Sequence, residues 1–145
     1  MRKAFSMLTA IFIIVLMATV AAFIMNLSGK MAKGTTAQFQ REQSMLLAKS
    51  YTEYAIMAVT ANEHNSSNCL NDISGNYGGS DGYDINVNIS YIGRGLDGSC
   101  RTLSNDVNTT KSPLNIIVDV FVSYPDPDHP DDLNMTYHRR SLQKI

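Results

Sequence analysis

Four aspartates lie close together near the end of the chain and could bind a metal ion. They are Asp126, Asp128, Asp131 and Asp132, in a stretch that also contains three prolines. Carboxylate oxygens suit Ca²⁺, but the spacing lacks the central glycine and the terminal glutamate of an EF-hand loop. The sequence therefore favours a solvated acidic loop over a calcium site, and no other cofactor is expected.

The residues that usually support catalysis are scattered. His64, His129 and His138 lie far apart, and no serine or cysteine nucleophile motif accompanies them. The glycine-rich stretch 74–82 follows no predicted strand and opens no predicted helix, so it does not match a phosphate-binding loop. An enzyme is the least favoured class.

The two cysteines flank the first predicted strand, with Cys69 before it and Cys100 after it. In an oxidising compartment a disulfide is expected, because small domains use such bridges to compensate for limited cores. Closing a loop of about 30 residues would contribute roughly 3–4 kcal/mol. In a reducing compartment the same residues would remain free thiols. No Cys-x-x-Cys motif is present, so redox or zinc chemistry has little support.

The N-terminal part of the chain is the strongest candidate for a structural element. Residues 4–25 contain no charged side chain, and as a helix they would span about 33 Å, against about 30 Å for the hydrocarbon core of a bilayer. This length predicts a transmembrane helix. A cleavable signal peptide is the alternative, with Val20-Ala21-Ala22 as a possible cleavage site, but its apolar run is usually only about 7–15 residues.

The charges set limits on partners and orientation. The 145 residues hold 12 Lys and Arg against 13 Asp and Glu, a net charge of -1, which excludes a polybasic nucleic-acid binder. Arg2 and Lys3 precede the apolar run. The short basic N-terminus and the cysteine pair favour a cytoplasmic N-terminus and an exported C-terminal part.

The helical pattern continues beyond the apolar run. From Phe39 onward the apolar residues recur at helical spacing, and positions 47, 51, 54, 55, 58 and 59 share one face. The pattern ends in the polar stretch 62–68. We therefore predict one nearly continuous helix from Phe5 to about Ala61, whose amphipathic half, residues 26–61, needs a covering surface.

The C-terminal part, residues 62–145, alternates in the manner of strands. Period-two patterns predict strands over 85–91, 115–124 and 133–142, with loops at 74–82, 93–99 and 124–132. The predicted fold is α+β, with a long N-terminal helix (a transmembrane half, 5–25, and an amphipathic half) packed on a small antiparallel sheet of three to four strands.

The N-terminal stretch Ala4-Phe5-Ser6-Met7-Leu8-Thr9, after a short basic leader and before an uninterrupted apolar helix, resembles the type IV pilin-like family. That family includes pilins, minor pilins and the pseudopilins of type II secretion. The resemblance implies a leader of residues 1–4, cleavage between Ala4 and Phe5 by a prepilin peptidase, and N-methylation of Phe5. It also implies a bacterial inner-membrane location, and partners that include other pilin-like subunits, an assembly platform and membrane lipid.

Two positions depart from the family pattern. Ala4 replaces the usual glycine, and Thr9 replaces a glutamate that in the family pairs with the amino terminus of a neighbouring subunit. A buried ammonium group without a counter-charge is costly, and a threonine hydroxyl accepts a hydrogen bond without neutralising the charge. The departure at Thr9 favours a minor subunit of a pilus or pseudopilus.

Two other classes of protein remain open from the residues alone. One is a secreted or periplasmic small binding module with a signal peptide, and the other is an uncleaved single-pass membrane scaffold. The helix pattern is equally compatible with a role in protein secretion, adhesion, motility or DNA uptake, so it does not distinguish among them.

Overall fold

A computed structural model describes residues 2–62, 69–79, 82–96, 98–107, 114–126 and 133–145. Within these ranges the chain forms one helix and five strands: α1 Arg2–Ala61, β1 Asp72–Tyr77, β2 Tyr83–Gly93, β3 Thr102–Ser104, β4 Leu114–Pro125 and β5 Asn134–Lys144. The chain divides into two compact units, Met1–Gln38 and Phe39–Ile145. The α+β class and the long N-terminal helix are as predicted.

The helix runs uninterrupted over 60 residues, and the sequence contains no proline before Pro113 that would break it. Gly29 and Gly34 weaken it without ending it. Several hydroxyl side chains form hydrogen bonds within the helix: Thr19, Thr35 and Thr36 donate to backbone carbonyls three or four residues earlier. The first residue in helical conformation is Arg2, three residues before the predicted start.

The sheet is mixed but mainly antiparallel. Its strand order is β1-β2-β4-β5, and every neighbouring pair on this path is antiparallel. The short β3 pairs in parallel with the last part of β2. It lies on the same edge of β2 as β1, which pairs with the first part of that strand. The prediction of three to four strands falls short of the five observed, because β1 and β3 lack apolar alternation.

The predicted loops agree only partly with the structure. The prediction at 74–82 is wrong over 74–77, which belong to β1; as an edge strand, β1 takes its hydrogen bonds from β2. The predicted loop at 124–132 begins inside β4, which extends to Pro125, and residues 127–132 lie outside the described ranges. Gly93 ends β2, and Arg94 then forms an isolated bridge with Asp106.

The core lies between one face of the sheet and the second half of the helix. The sheet supplies the bulk, through Ile85, Val87, Ile89, Tyr91, Ile116, Val118, Val120 and Val122. The helix supplies small side chains, namely Ser44, Ala48, Thr52, Ala55 and Val59. Each fully buried Ile or Val stabilises the fold by roughly 1.5–3 kcal/mol, so most of the core energy comes from β2 and β4.

Gly75 permits a close contact between the helix and the edge strand β1. The ring of Tyr51, on the helix, lies directly against β1, and a Cβ atom at position 75 would overlap the Tyr51 hydroxyl. A side chain at this position would have to displace the Tyr51 ring from its place against β1. The glycine therefore belongs to the packing of the core, although its neighbours in sequence resemble a turn.

Candidate functional site

The segment at which the resemblance predicts processing lies at the start of the helix. The backbone is helical at Ala4, Phe5 and Thr9, and the Thr9 side chain is exposed. The helix continues from these residues into the apolar run without a break. The structure thus places the family-like motif at the end of one long helix.

The apolar run presents large side chains all around the helix. Those exposed between residues 7 and 31 are Met7, Leu8, Ile11, Phe12, Ile13, Ile14, Val15, Leu16, Met17, Val20, Phe23, Ile24, Met25, Leu27 and Met31. Across the described ranges, this helix is the one that is long and apolar enough to cross a membrane. Exposed apolar surface on this scale requires lipid or another protein to cover it.

The second half of the helix has two apolar faces. One is the buried face of small side chains that meets the sheet. The other consists of large residues that remain 52% to 65% exposed, and we call it the outer stripe: Phe39, Leu46, Tyr54 and Met57. At about 100° per residue, these four lie within roughly 80° of one another and nearly opposite the buried Ala48, Ala55 and Val59.

The sequence pattern located the covered face only approximately. It grouped Tyr54 with Ala55 and Val59, yet Tyr54 is exposed while the other two are buried. The face also includes Ser44 and Thr52, which the apolar pattern could not include. Their hydroxyls bond to carbonyls of the preceding turn, so they can be buried without a partner from the sheet.

The cysteine pair forms the expected bridge. Cys69 and Cys100 are joined by a disulfide, with their Cα atoms 5.1 Å apart and a sequence separation of 31 residues. Each precedes one of the two segments that pair with the same edge of β2, since β1 begins at Asp72 and β3 at Thr102. The disulfide thus closes the edge of the sheet at the junction between β1 and β3.

Hydrogen bonds reinforce this junction. The amide of Ile89 donates to the carbonyl of Asn71, and the amide of Tyr91 donates to the carbonyl of Arg101, both at 2.8 Å. The Asn71 side chain links the two segments, accepting from the Arg101 amide and donating to the Ser99 carbonyl.

A buried hydroxyl anchors the segment before β1. The Tyr91 hydroxyl donates to the Leu70 carbonyl at 2.6 Å. Burial raises the pKa of Tyr91, and the hydrogen bond to Leu70 opposes that rise. Tyr91 therefore stays protonated and keeps this contact over the physiological pH range.

The acidic cluster falls mostly outside the described ranges. Asp128, Asp131 and Asp132 belong to residues 127–132, and Asp126 follows β4, where its amide donates to the Leu133 carbonyl at 3.0 Å. Among the residues that the structure describes, no group of three or more Asp, Glu, His or Cys side chains could hold a metal ion. The calcium possibility at the four aspartates therefore stays a sequence-based hypothesis.

The structure assembles one polar cluster that the sequence pattern did not reveal. On the sheet face away from the helix, Asp119 accepts hydrogen bonds from Arg140 through both carboxylate oxygens, at 2.7 and 2.9 Å. Asp119 also lies 2.7 Å from Nε2 of His138, whose ring stacks on Phe121 at 4.4 Å. The register that sets Asp119 opposite Arg140 is visible only once β4 and β5 are paired.

The Asp119 carboxylate is held in its charged form. The hydrogen bond from Arg140 lowers the pKa of Asp119 most, burial opposes this, and the contact with His138 lowers it further. Because Asp119 on β4 bonds to His138 and Arg140 on β5, the cluster stabilises the pairing of these two strands.

Comparison with known proteins found no match: no protein-family model, no curated protein and no solved structure is significantly similar to this chain.

Proposed function

We propose that this chain is a pilin-like structural subunit of a type IV pilus or a type II secretion pseudopilus. In this role, residues 4–25 anchor the subunit in the inner membrane until assembly. The same residues then pack against the helices of neighbouring subunits in a fibre. The sheet domain, with its disulfide, faces the periplasm or the fibre surface.

The observation that carries this proposal is the two-part helix. Its first part is apolar on all sides and exposed, while its second part packs small side chains against an antiparallel sheet. A helix used only as a membrane anchor has no need to continue into the core of the attached domain. A helix that must transmit assembly forces from one subunit to the next gains from such continuity.

The residue at position 9 bears on the kind of subunit. In the family that the sequence resembles, a glutamate at this position neutralises the amino terminus of a neighbour, and Thr9 cannot do so. We therefore place the chain among the minor subunits, which are present in few copies.

Mass spectrometry of the mature N-terminus tests the proposal. The full chain is expressed in a bacterium that has a prepilin peptidase, with a peptidase-deficient strain as the control. We expect a polypeptide that begins with N-methylated Phe5 in the first strain and an intact N-terminus in the second.

Two results would contradict the proposal. A mature chain beginning near Phe23 would indicate a secreted or periplasmic module released by signal peptidase. An intact Met1 terminus in both strains would indicate an uncleaved single-pass scaffold.

A further inference from the structure

Strand β1 forms one edge of the sheet. Among the described residues it pairs with β2 alone. The amide of Ile89 on β2 donates to the Asn71 carbonyl just before β1, and in an antiparallel ladder such bonded pairs alternate with pairs whose backbone groups point away. Ile73 and Gly75 therefore bond to β2. The residues of β1 whose backbone N–H and C=O groups point to the outer edge are Asp72, Ser74 and Asn76.

The opposite edge of the sheet, β5, is protected against pairing in a way that β1 is not. β5 carries the cationic side chains of Arg139, Arg140 and Lys144, and charges along an edge strand discourage the addition of another strand. The charge on β1 is that of Asp72, which an ion pair with Arg101 balances at 2.9 Å. Of these two edges, β1 is therefore the better suited to accept a further strand.

A groove lies between β1 and the helix. Its volume is about 330 Å³. The residues that line it are Ser50, Tyr51, Tyr54, Ile73 and Ser74. The two tyrosine rings meet edge to face, with their centroids 6.2 Å apart, and the Tyr51 ring reaches β1 because Gly75 has no side chain. The groove thus presents aromatic surface beside the outer edge of β1.

The side of the helix next to the groove carries no charged residue between positions 43 and 61. At about 100° per residue, the positions within roughly 100° of Tyr51 on this side are Gln43, Leu47, Ser50, Tyr54, Ala58 and Ala61. Glu42, Lys49 and Glu53 lie about 160–180° from Tyr51, on the far side. An apolar side chain can therefore enter the groove without removing a charge from water.

These features define the chemistry of the occupant. A row of alternating backbone donors and acceptors is matched by another extended polypeptide, not by lipid or nucleic acid. Successive side chains of an added strand would point alternately into the groove and toward the solvated face beside Ser74. We propose that β1 binds an extended segment of a partner protein as an additional strand, with apolar residues toward the groove and uncharged polar residues between them.

This inference goes beyond the pilin-like role and stands apart from it. Every residue that carries it belongs to the unit Phe39–Ile145. The processing of the N-terminus and the binding of a strand can therefore fail separately, and each has its own measurement.

Selection from a peptide pool tests the proposal. The full chain, purified in detergent, is immobilised and exposed to short peptides that have Val, Leu, Phe or Tyr at every second position and Ser, Thr or Asn between them. The matched control pool has proline at the central position, where it removes a backbone donor. We expect the first pool to be retained at least about 10-fold better. Equal retention of the two pools would overturn the proposal.

Hydrogen exchange locates the bound peptide on the chain. The best-retained peptide should slow the exchange of the amides of Asp72, Ser74 and Asn76. The amides of Ile73 and Gly75 should change little, because they already bond to β2. Retention of a peptide without slower exchange at the three outer amides would overturn strand addition.

Two substitutions, each with a matched control, check the same contact from the side of the protein. Ser74→Pro removes an outer amide of β1, which an edge strand tolerates, and Leu142→Pro does the same on the outer edge of β5. Tyr54→Asp places a charge in the groove, whereas Leu46→Asp places one on the outer stripe, about 80° around the helix. We expect the first member of each pair to reduce peptide retention at least about 10-fold and the control to leave it within about 2-fold. Circular dichroism verifies that each variant is folded, and equal effects within both pairs would overturn the proposal.

Other occupants of this edge give distinct results. A chain that forms dimers without peptide, and whose outer β1 amides are protected only at high concentration, would show that two copies pair there. Protection of the same amides in a dilute monomer would show that another part of the chain covers β1. Either result would overturn the assignment to a partner segment.

Discussion

Asp119 is a charged residue of the sheet that remains only 7% exposed. It sits on β4 between Asn88 of β2 and Arg140 of β5, and its side-chain partners among the described residues, His138 and Arg140, both belong to β5. Replacing the carboxylate by an amide removes the charge and one of the two acceptor oxygens that Arg140 uses, and a donor left without its acceptor costs more than the original bond contributes. The cluster links the last strand to the centre of the sheet.

Replacing Asp119 should therefore destabilise the domain and remove one component of its acid sensitivity. We expect Asp119→Asn to lower the free energy of unfolding by about 1–3 kcal/mol at pH 7. The folded-state pKa of Asp119 is lowered, so its contribution is complete above the unfolded pKa of about 3.9 and is lost as the pH falls below about 4. Denaturant unfolding of the full chain in detergent, followed by circular dichroism from pH 7 to pH 3, measures this.

The exposed ion pair between Arg101 and Asp72 provides the control. Its atoms approach to 2.9 Å, but both side chains are largely solvated, so Asp72→Asn should change the stability by less than about 1 kcal/mol. If the two variants lose equal stability, or if the difference between wild type and Asp119→Asn does not shrink in acid, the assignment is wrong.

Gly75 gives a second prediction at the scale of single residues. Gly75→Ala should destabilise the domain by about 1–3 kcal/mol, because the new methyl group meets the Tyr51 ring. In a Tyr51→Ala background the same substitution should cost much less, so a double-mutant cycle gives a coupling energy. Gly34→Ala, which meets no neighbouring atom, should not destabilise. Additive losses would show that the ring is not the obstacle.

At the scale of elements, the disulfide secures two segments along one edge of β2. We expect reduction, or the paired replacement of Cys69 and Cys100 by alanine, to cost about 3–4 kcal/mol for a loop of 31 residues. Hydrogen exchange locates the effect: the amides of Ile89 and Tyr91, whose acceptors are Asn71 and Arg101, should exchange faster. Amides that join β4 to β5 should change least. Uniform acceleration over the sheet would contradict this assignment.

Periodicity predicted the elements whose apolar residues recur regularly and missed those that lack such a pattern. The helix, β2, β4 and β5 follow from spacing, although β5 buries no side chain fully: Met135 and Leu142 are exposed and Tyr137 is partly buried. β1 carries Gly75 and Asn76, so its own sequence does not indicate a strand. It becomes a strand because it is hydrogen-bonded to β2. The Asp119 cluster was unpredictable for a related reason, since its three side chains meet through strand register.

At the scale of the whole molecule, the free energy of insertion should depend on the apolar run alone. Ile14 lies near the centre of residues 4–25, and an arginine there costs about 2.5–3.5 kcal/mol on insertion scales. We expect Ile14→Arg to reduce the fraction of the chain that resists alkaline carbonate extraction from membranes. Phe39→Arg, placed outside the run, should leave that fraction unchanged. Equal extraction of both variants would contradict a membrane-spanning role for this segment.

The contrast between the two faces of the helix has a consequence for how such a chain can evolve. The interior draws most of its volume from β2 and β4, and the fully buried side chains of the helix are mostly Ala, Ser and Thr, with Leu47, Tyr51 and Ile56 partly buried against the core. Substitutions on the opposite side leave that interior untouched. Positions such as Leu46 and Met57, both 63% exposed, can therefore change with little effect on folding, so the outward side of the helix can vary while the packed interior is preserved.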